Sequence, residues 1–214
     1  MAANTVAHMA RHLRNALIVL LVALAMVRAL SDNPDRALAG SRDTYRLESL
    51  IIAPESGSGT YRRSYFNHWV DEDHDCLNTR AEVLLRESLK ETRGECRIRS
   101  GRWWSWYDYV YIEDASKLDI DHLVALKEAW ESGASRWSPQ RRESFANDLT
   151  STETLTAVSA TQNRRKSDKD PAQWLPPHGT CRYVASWVAV KLRWGLSVDK
   201  DEYNSIAKVL AGCL

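Results

Sequence analysis

Residues 116–130 read SKLDIDHLVALKEAW and place Asp119, Asp121 and His122 between a β-prone run and an amphipathic one. About forty residues on, SATQNRRKSDKD brings Asn163 together with Arg164, Arg165, Lys166 and Lys169. Asp and Asn side chains offer hard oxygen ligands to Mg²⁺ or a similar ion, and a neighbouring imidazole can take a proton from water near neutral pH. Such a set is equipped to hydrolyse a phosphodiester. The ion would neutralise the scissile phosphate and the departing 3′ oxygen, while adjacent cations hold the flanking phosphates. Each piece alone has a plainer reading: an Asp-His pair often closes a strand, and a basic run is usually a solvated turn.

The elements that must position these residues follow from local patterns. CLNTRAEVLLRESLKE reads as a helix capped by Asn78 or Thr79, with Ala81, Val83, Leu84, Leu85 and Leu89 as its apolar stripe and Gly94 as its stop. CRIRSGRWWSWYDYVYIED alternates and is rich in aromatics, which predicts a hairpin turning at Gly101. LVALKEAWESG predicts a helix ending at Gly133, and SPQRRESFANDL another, with Ser138 as cap and Pro139 first. DPAQWLPP is irregular. CRYVASWVAVKLRWGL and SVDKDEYNSIAKVLAGCL predict two amphipathic helices, the second capped by Ser197. Trp130, Trp187 and Trp194 fall on apolar helix faces and read as core, although a tryptophan can also stack on bases. His68 and His74, flanking WVDED, read as surface residues.

A chain of 214 residues with 44% hydrophobic content supports one compact core. Arg11 and Arg14 precede NALIVLLVALAMV, a run too short for a membrane span of about 20 residues and suited to an export signal. Ala37 and Ala39 offer a cleavage site, so residues 1–39 are read as a signal peptide, or alternatively an uncleaved signal anchor. Residues 40–60 are read as a polar linker, and residues 61–214 as the domain. Residues 1–39 hold four Arg and two Asp, so the formal charge of +1 becomes −1 without them. Bulk charge therefore does not make a polyanion binder, but its distribution is uneven: residues 66–131 carry 9 Lys/Arg against 15 Asp/Glu, and residues 160–193 carry 7 against 2. In an exported chain, four cysteines favour disulfides. Of the three connectivities, Cys76–Cys96 with Cys181–Cys213 closes two local loops. A four-cysteine zinc site is the alternative, disfavoured because no two cysteines are closely spaced.

In combination the motifs are more specific. DIDHLVAL, then FANDL, then LTAVSATQNRRKSDKDPAQWLPP resembles the HNH, or His-Me finger, nuclease superfamily, and within it the exported HNH endonuclease family proteins. The resemblance runs from about Trp69 to Cys213 and includes CLNTRAEVL, AWESGA and CRYVASWVAVKLRW. DIDHLV with NRRKSD is also similar to the HNH domain of the RNA-guided CRISPR effector nuclease. The resemblance implies an α+β fold built on a ββα-metal core, a β-hairpin plus helix, with surrounding helices. It implies that Asp121 and Asn163 bind the metal, that His122 is the general base, and that Asn147 orients the histidine or its loop. Lys166 would contact phosphate, with Arg164 and Arg165 beside it. Asn163 stands where the family name has its last histidine, which favours Mg²⁺, with Mn²⁺ as the alternative, over Zn²⁺. Ala125 stands where many relatives have proline. Arg80 recurs in the family pattern, as an ion-pair partner or a phosphate contact.

The expected protein is thus a secreted or envelope-located, monomeric, metal-dependent endonuclease acting on nucleic acid, DNA before RNA, with no stable membrane association once its signal is removed. No immunity or regulatory partner can be read from the residues. Two other classes compete: a non-catalytic nucleic-acid-binding domain on the same fold, and a disulfide-stapled cell-envelope interaction protein. The first would call for a degenerate site, whereas Asp121, His122 and Asn163 are all present.

Overall fold

A computed structural model describes residues 47–213. The signal at residues 1–39 and the first part of the linker lie outside the described residues. From Leu47 the chain already belongs to the domain, which corrects the linker reading. Leu50 is buried, Ile51–Ile52 (β1) pairs in parallel with Ser197–Val198 (β6), and the Gly57 carbonyl accepts the Trp130 indole N–H at 2.9 Å. Short apolar residues beside a sheet edge outweigh the polar character of this segment. Among the described residues no helix is long and apolar enough to cross a membrane.

Among the described residues the fold is α+β, with three two-stranded sheets and two disulfides, Cys76–Cys96 and Cys181–Cys213. Helix α1, Thr79–Glu87, starts where the Asn78 side chain accepts the Ala81 N–H, and it buries Thr79, Ala81, Val83 and Leu84. It stops well before Gly94, because Leu89 N–H is taken by the Arg102 carbonyl at 2.6 Å and the chain joins the hairpin. Leu85 and Leu89 are accordingly exposed rather than part of the stripe.

The hairpin pairs β2, Ser100–Ser105, with β3, Val110–Asp114, and turns over residues 106–109, not at Gly101. Gly101 sits at a register shift inside β2. A Cβ there would lie 2.8 Å from the Trp103 ring, so glycine permits a packing contact where a turn was expected. The Trp103 indole donates to the Leu84 carbonyl at 2.7 Å and ties the hairpin to α1.

Strand β4, Leu118–His122, runs antiparallel to β5, Leu155–Ser159, with Asp121 opposite Thr156 and His122 opposite Leu155. The two-residue period divides β4: Leu118 and Ile120 enter a small core with Val83, Leu84 and Trp103, while Asp119 and Asp121 meet the helix that follows β5. That helix, α4 (Ala160–Lys166), is capped by Ser159, the last residue of β5. Between β4 and β5 lie α2, Leu126–Glu131, and α3, Pro139–Ala146, the latter capped by Ser138 as expected.

The larger core joins Phe66, Tyr107, Trp130, Phe145, Tyr183 and Trp187 to α5, Thr180–Trp194, and α6, Lys200–Ala211. Helix α6 is capped by Asp199 in a capping box with Glu202; Ser197 instead belongs to β6. Once Ser197 and Val198 are drawn into pairing with β1, the helix begins two residues later than the sequence suggests.

Candidate active site

Strand β4 ends with two buried polar residues, Asp121 and His122. His122 Nε2 lies 2.8 Å from the Ala146 carbonyl at the end of α3. A carbonyl only accepts, so Nε2 carries the proton and Nδ1 keeps the lone pair. Burial lowers the His122 pKa to about 3; the Ala146 contact opposes this, and Arg63, His68 and Lys166 reinforce it. The ring is therefore a neutral imidazole with one basic nitrogen.

Asp121 is held from two sides. The Tyr107 hydroxyl donates to Oδ2 at 2.5 Å, and the Lys166 ammonium donates to Oδ1 at 2.8 Å and to the His122 carbonyl at 2.9 Å. Burial pushes the Asp121 pKa up, while Lys166 and Tyr107 act to hold it down. Each carboxylate oxygen receives one donor and keeps a further lone pair.

Helix α4 turns one side toward β4. Asn163 Nδ2 donates to Asp119 Oδ2 at 3.2 Å, which leaves the amide oxygen of Asn163 without that duty. Asp119 thus bonds within the motif. Arg164 sits 3.5 Å from the same Asp119 oxygen and is largely exposed, and Arg165 is exposed. Lys166 departs from expectation. Its side chain is 0% exposed, so it neutralises Asp121 rather than reaching a substrate phosphate.

Asn147 does not touch His122 but bonds to the loop and helix around it. Its amide donates to the Asn67 and Glu143 carbonyls, and its oxygen accepts from Val70 N–H and Thr79 Oγ. It clamps the loop before α1 onto the end of α3, next to the Ala146 carbonyl that holds His122. Arg80 is anchored on the Ala115 and Leu118 carbonyls, which supports a structural role.

Asp121, His122, Asn163 and Arg164 line one cavity of about 460 Å³, together with Tyr61, Arg63, Lys127 and Asp168. Tyr107, Arg63 and the Lys127–Asp168 pair (2.7 Å) are contributions that sequence reasoning missed. Only Tyr107 carried a signal, as a tyrosine in the hairpin immediately preceding the motif. His68 is closer to the chemistry than a surface reading allowed: its ring centre is 6.4 Å from that of His122, and Arg63 Nε donates to it at 3.4 Å. Trp69 lies 5.3 Å from His122, ring to ring. His74 is exposed, as expected.

The donor set fits a hard divalent ion: Asp121 retains lone pairs and the amide oxygen of Asn163, lining the same cavity, accepts no hydrogen bond among the described residues. The carboxylate clusters that could hold an ion among the described residues, Glu55 with Glu128 and Asp170, and Asp71 with Asp73 and Asp75, lie elsewhere.

An α+β domain whose Asp-His pair shares a polar cavity with a helical asparagine is the class this geometry defines. Residues 65–209 match the family described as GmrSD restriction endonucleases, C-terminal domain, and the chain belongs to that family. A protein of Arthroderma benhamiae, described as an uncharacterized secreted protein, is 38% identical over 170 residues, which cover 78% of this chain and 82% of that one. No solved structure matches.

Proposed function

We propose that this chain is a secreted, metal-dependent endonuclease that hydrolyses phosphodiester bonds of nucleic acid, DNA in the first instance. The observation that carries the reading is the tautomer of His122: the Ala146 carbonyl fixes the proton on Nε2 and leaves Nδ1 as a base, on a residue that lines the cavity with Asp121 and Asn163. In this reading β4, β5 and α4 form the ββα-metal core. Asp121 and Asn163 would hold Mg²⁺ or Mn²⁺, which supplies charge neutralisation at the scissile phosphate and the leaving oxygen.

His122 takes the proton from the attacking water at Nδ1. An anionic phosphate entering the cavity favours the imidazolium and so opposes the lowering imposed by burial. Lys166 opposes the burial that raises the Asp121 pKa. Arg63 and Arg164, which line the cavity, hold flanking phosphates in the role first read for Lys166, and Arg165 extends the basic surface. Two disulfides and a relative described as secreted support an extracellular location.

The test is plasmid cleavage by the purified chain with Mg²⁺ and with chelator. Cleavage is expected only with the ion. Asp121→Ala and Asn163→Ala are each expected to raise the Mg²⁺ concentration needed and to be partly rescued by excess Mg²⁺ or Mn²⁺. Chelator-insensitive cleavage, or none under any divalent ion, would contradict the reading.

A further inference from the structure

The hairpin of β2 and β3 carries a row of aromatic rings on its exposed side. Trp104 and its cross-strand partner Tyr111 pack with ring centres 4.6 Å apart, and Tyr109 stacks on Trp104 at 5.4 Å and on His178 at 4.6 Å, the latter pair 15° from parallel. Tyr111 is 56% exposed, and Tyr109 and His178 are exposed as well. The other hairpin aromatics, Trp103, Trp106 and Tyr107, are buried, as rings that pack for stability ordinarily are. Tyr109 holds a φ of 55°, in the left-handed region that a bulky residue seldom adopts, and there its ring lies almost parallel to that of His178. Backbone strain of this kind collects at functional sites.

The charge beside the row has one sign to spare. The Arg102 guanidinium lies 4.3 Å over the Tyr111 ring. Arg102 takes part in none of the ion pairs among the described residues, and its Nε has no hydrogen-bond partner among them. The hairpin's carboxylates, by contrast, are all engaged: Asp108 accepts from Ser105 and Ser159, Glu113 pairs with Lys90, and Asp114 accepts the Ser116 N–H. The row therefore ends on an uncompensated guanidinium, whose planar fork of donors matches a phosphate.

We propose that Tyr109 and Tyr111, backed by Trp104 and His178, form a stacking platform for unpaired bases, with Arg102 on the adjoining phosphate, so that the substrate class is single-stranded nucleic acid. Every base has a π face, and aromatic rings beside a cation hold single strands with little regard to sequence. In a duplex those faces are covered by neighbouring bases, so the platform selects by strandedness. It is also joined to the candidate active site. His178 N–H donates to the Tyr107 carbonyl at 3.1 Å, Tyr109 follows Tyr107 by two residues, and the Tyr107 hydroxyl donates to Asp121. The choice of nucleic acid as the occupant rests on the nuclease reading.

The test is fluorescence anisotropy of labelled oligodeoxythymidine, and of a duplex of the same length, titrated with the full chain in chelator so that nothing is cleaved. The single strand is expected to bind more tightly than the duplex. Tyr111→Ala and Tyr109→Asn should each weaken single-strand binding by about 10-fold or more and duplex binding much less, through loss of a stacking surface. Tyr111→Phe keeps the ring and should bind as the parent does. Asparagine is at home at the φ of Tyr109, so Tyr109→Asn should keep the parental melting temperature while losing affinity, which separates binding from folding. Unchanged affinity in both ring-deleting variants, an equal loss for the duplex, or binding of a neutral oligosaccharide, chitohexaose, in place of the oligonucleotide overturns the proposal. Plasmid cleavage under Mg²⁺ is read separately: single-strand binding without cleavage contradicts the nuclease reading alone, and cleavage with unchanged binding in the ring variants contradicts the platform alone.

Discussion

Two lysines are fully enclosed, and their surroundings separate a scaffold from a site. The Lys191 ammonium on α5 meets Glu128 at 2.5 Å, Ser132 at 2.7 Å, the Ser197 carbonyl at 2.8 Å and Glu202 at 3.2 Å. Those partners come from α2, the turn after it, β6 and α6, and Glu202 also accepts the Trp187 indole. Among the described residues the Lys166 ammonium on α4 meets only Asp121 and the His122 carbonyl, both on one strand and both beside a cavity. The same kind of buried charge thus serves two ends. Where acceptors converge from several elements, the ammonium cross-links the fold; where its carboxylate borders a cavity, it sets the charge that the cavity presents.

The largest expected effect is on the scaffold. Lys191→Met leaves Glu128 enclosed without its cation and should cost about 3–5 kcal/mol of stability, since breaking a buried pair strands a charge. Thermal or urea unfolding checks it, and cleavage per folded molecule should be little changed. A loss below 1 kcal/mol would mean that the Lys191 cluster is not a cross-link.

Lys166→Met should separate differently, with activity as the main casualty. In the proposed function Asp121 holds the ion, and removing the support of such a carboxylate commonly lowers affinity or rate about 10–100-fold. Measured at a temperature where the variant is folded, cleavage should fall by that factor; a variant that unfolds but cleaves normally when folded would erase the contrast with Lys191.

A pH trend is also expected on the scaffold side of the comparison. Burial pushes Glu202 up to about 8, with Lys191 acting in the opposite sense and Glu128 adding to the rise. A carboxyl raised in the folded state contributes stability that is complete below its unfolded value of 4.5 and is lost as pH rises through about 8. The melting temperature should therefore decline across that window, and Glu202→Gln should flatten the decline.

Much of this was legible in the chain because the signals were local. Asn78, Ser138, Pro139 and Gly133 act as read, since a cap or a stop depends on residues within one turn. The disulfide pairs were legible because each joins near neighbours in sequence. What escaped depended on long-range capture. Helix α1 ends at Glu87 because a distant strand takes Leu89, and α6 starts at Lys200 because β1 takes Ser197. Lys166 reads as one more cation in NRRKSDK until β4 is packed beneath it. Asn147 stood out as a member of a motif, yet only the fold shows that its neighbour Ala146 holds the histidine, because a backbone carbonyl leaves no mark in the residue code.

The central claim is that His122 is the proton acceptor, and His122→Ala tests it most directly. Plasmid cleavage under saturating Mg²⁺ should fall by about 10²–10⁴-fold, with the melting temperature and circular dichroism of a folded protein and no rescue by added metal. Near-parental cleavage by folded His122→Ala would contradict the account and return the Asp121–His122 pair to a structural role at the end of β4.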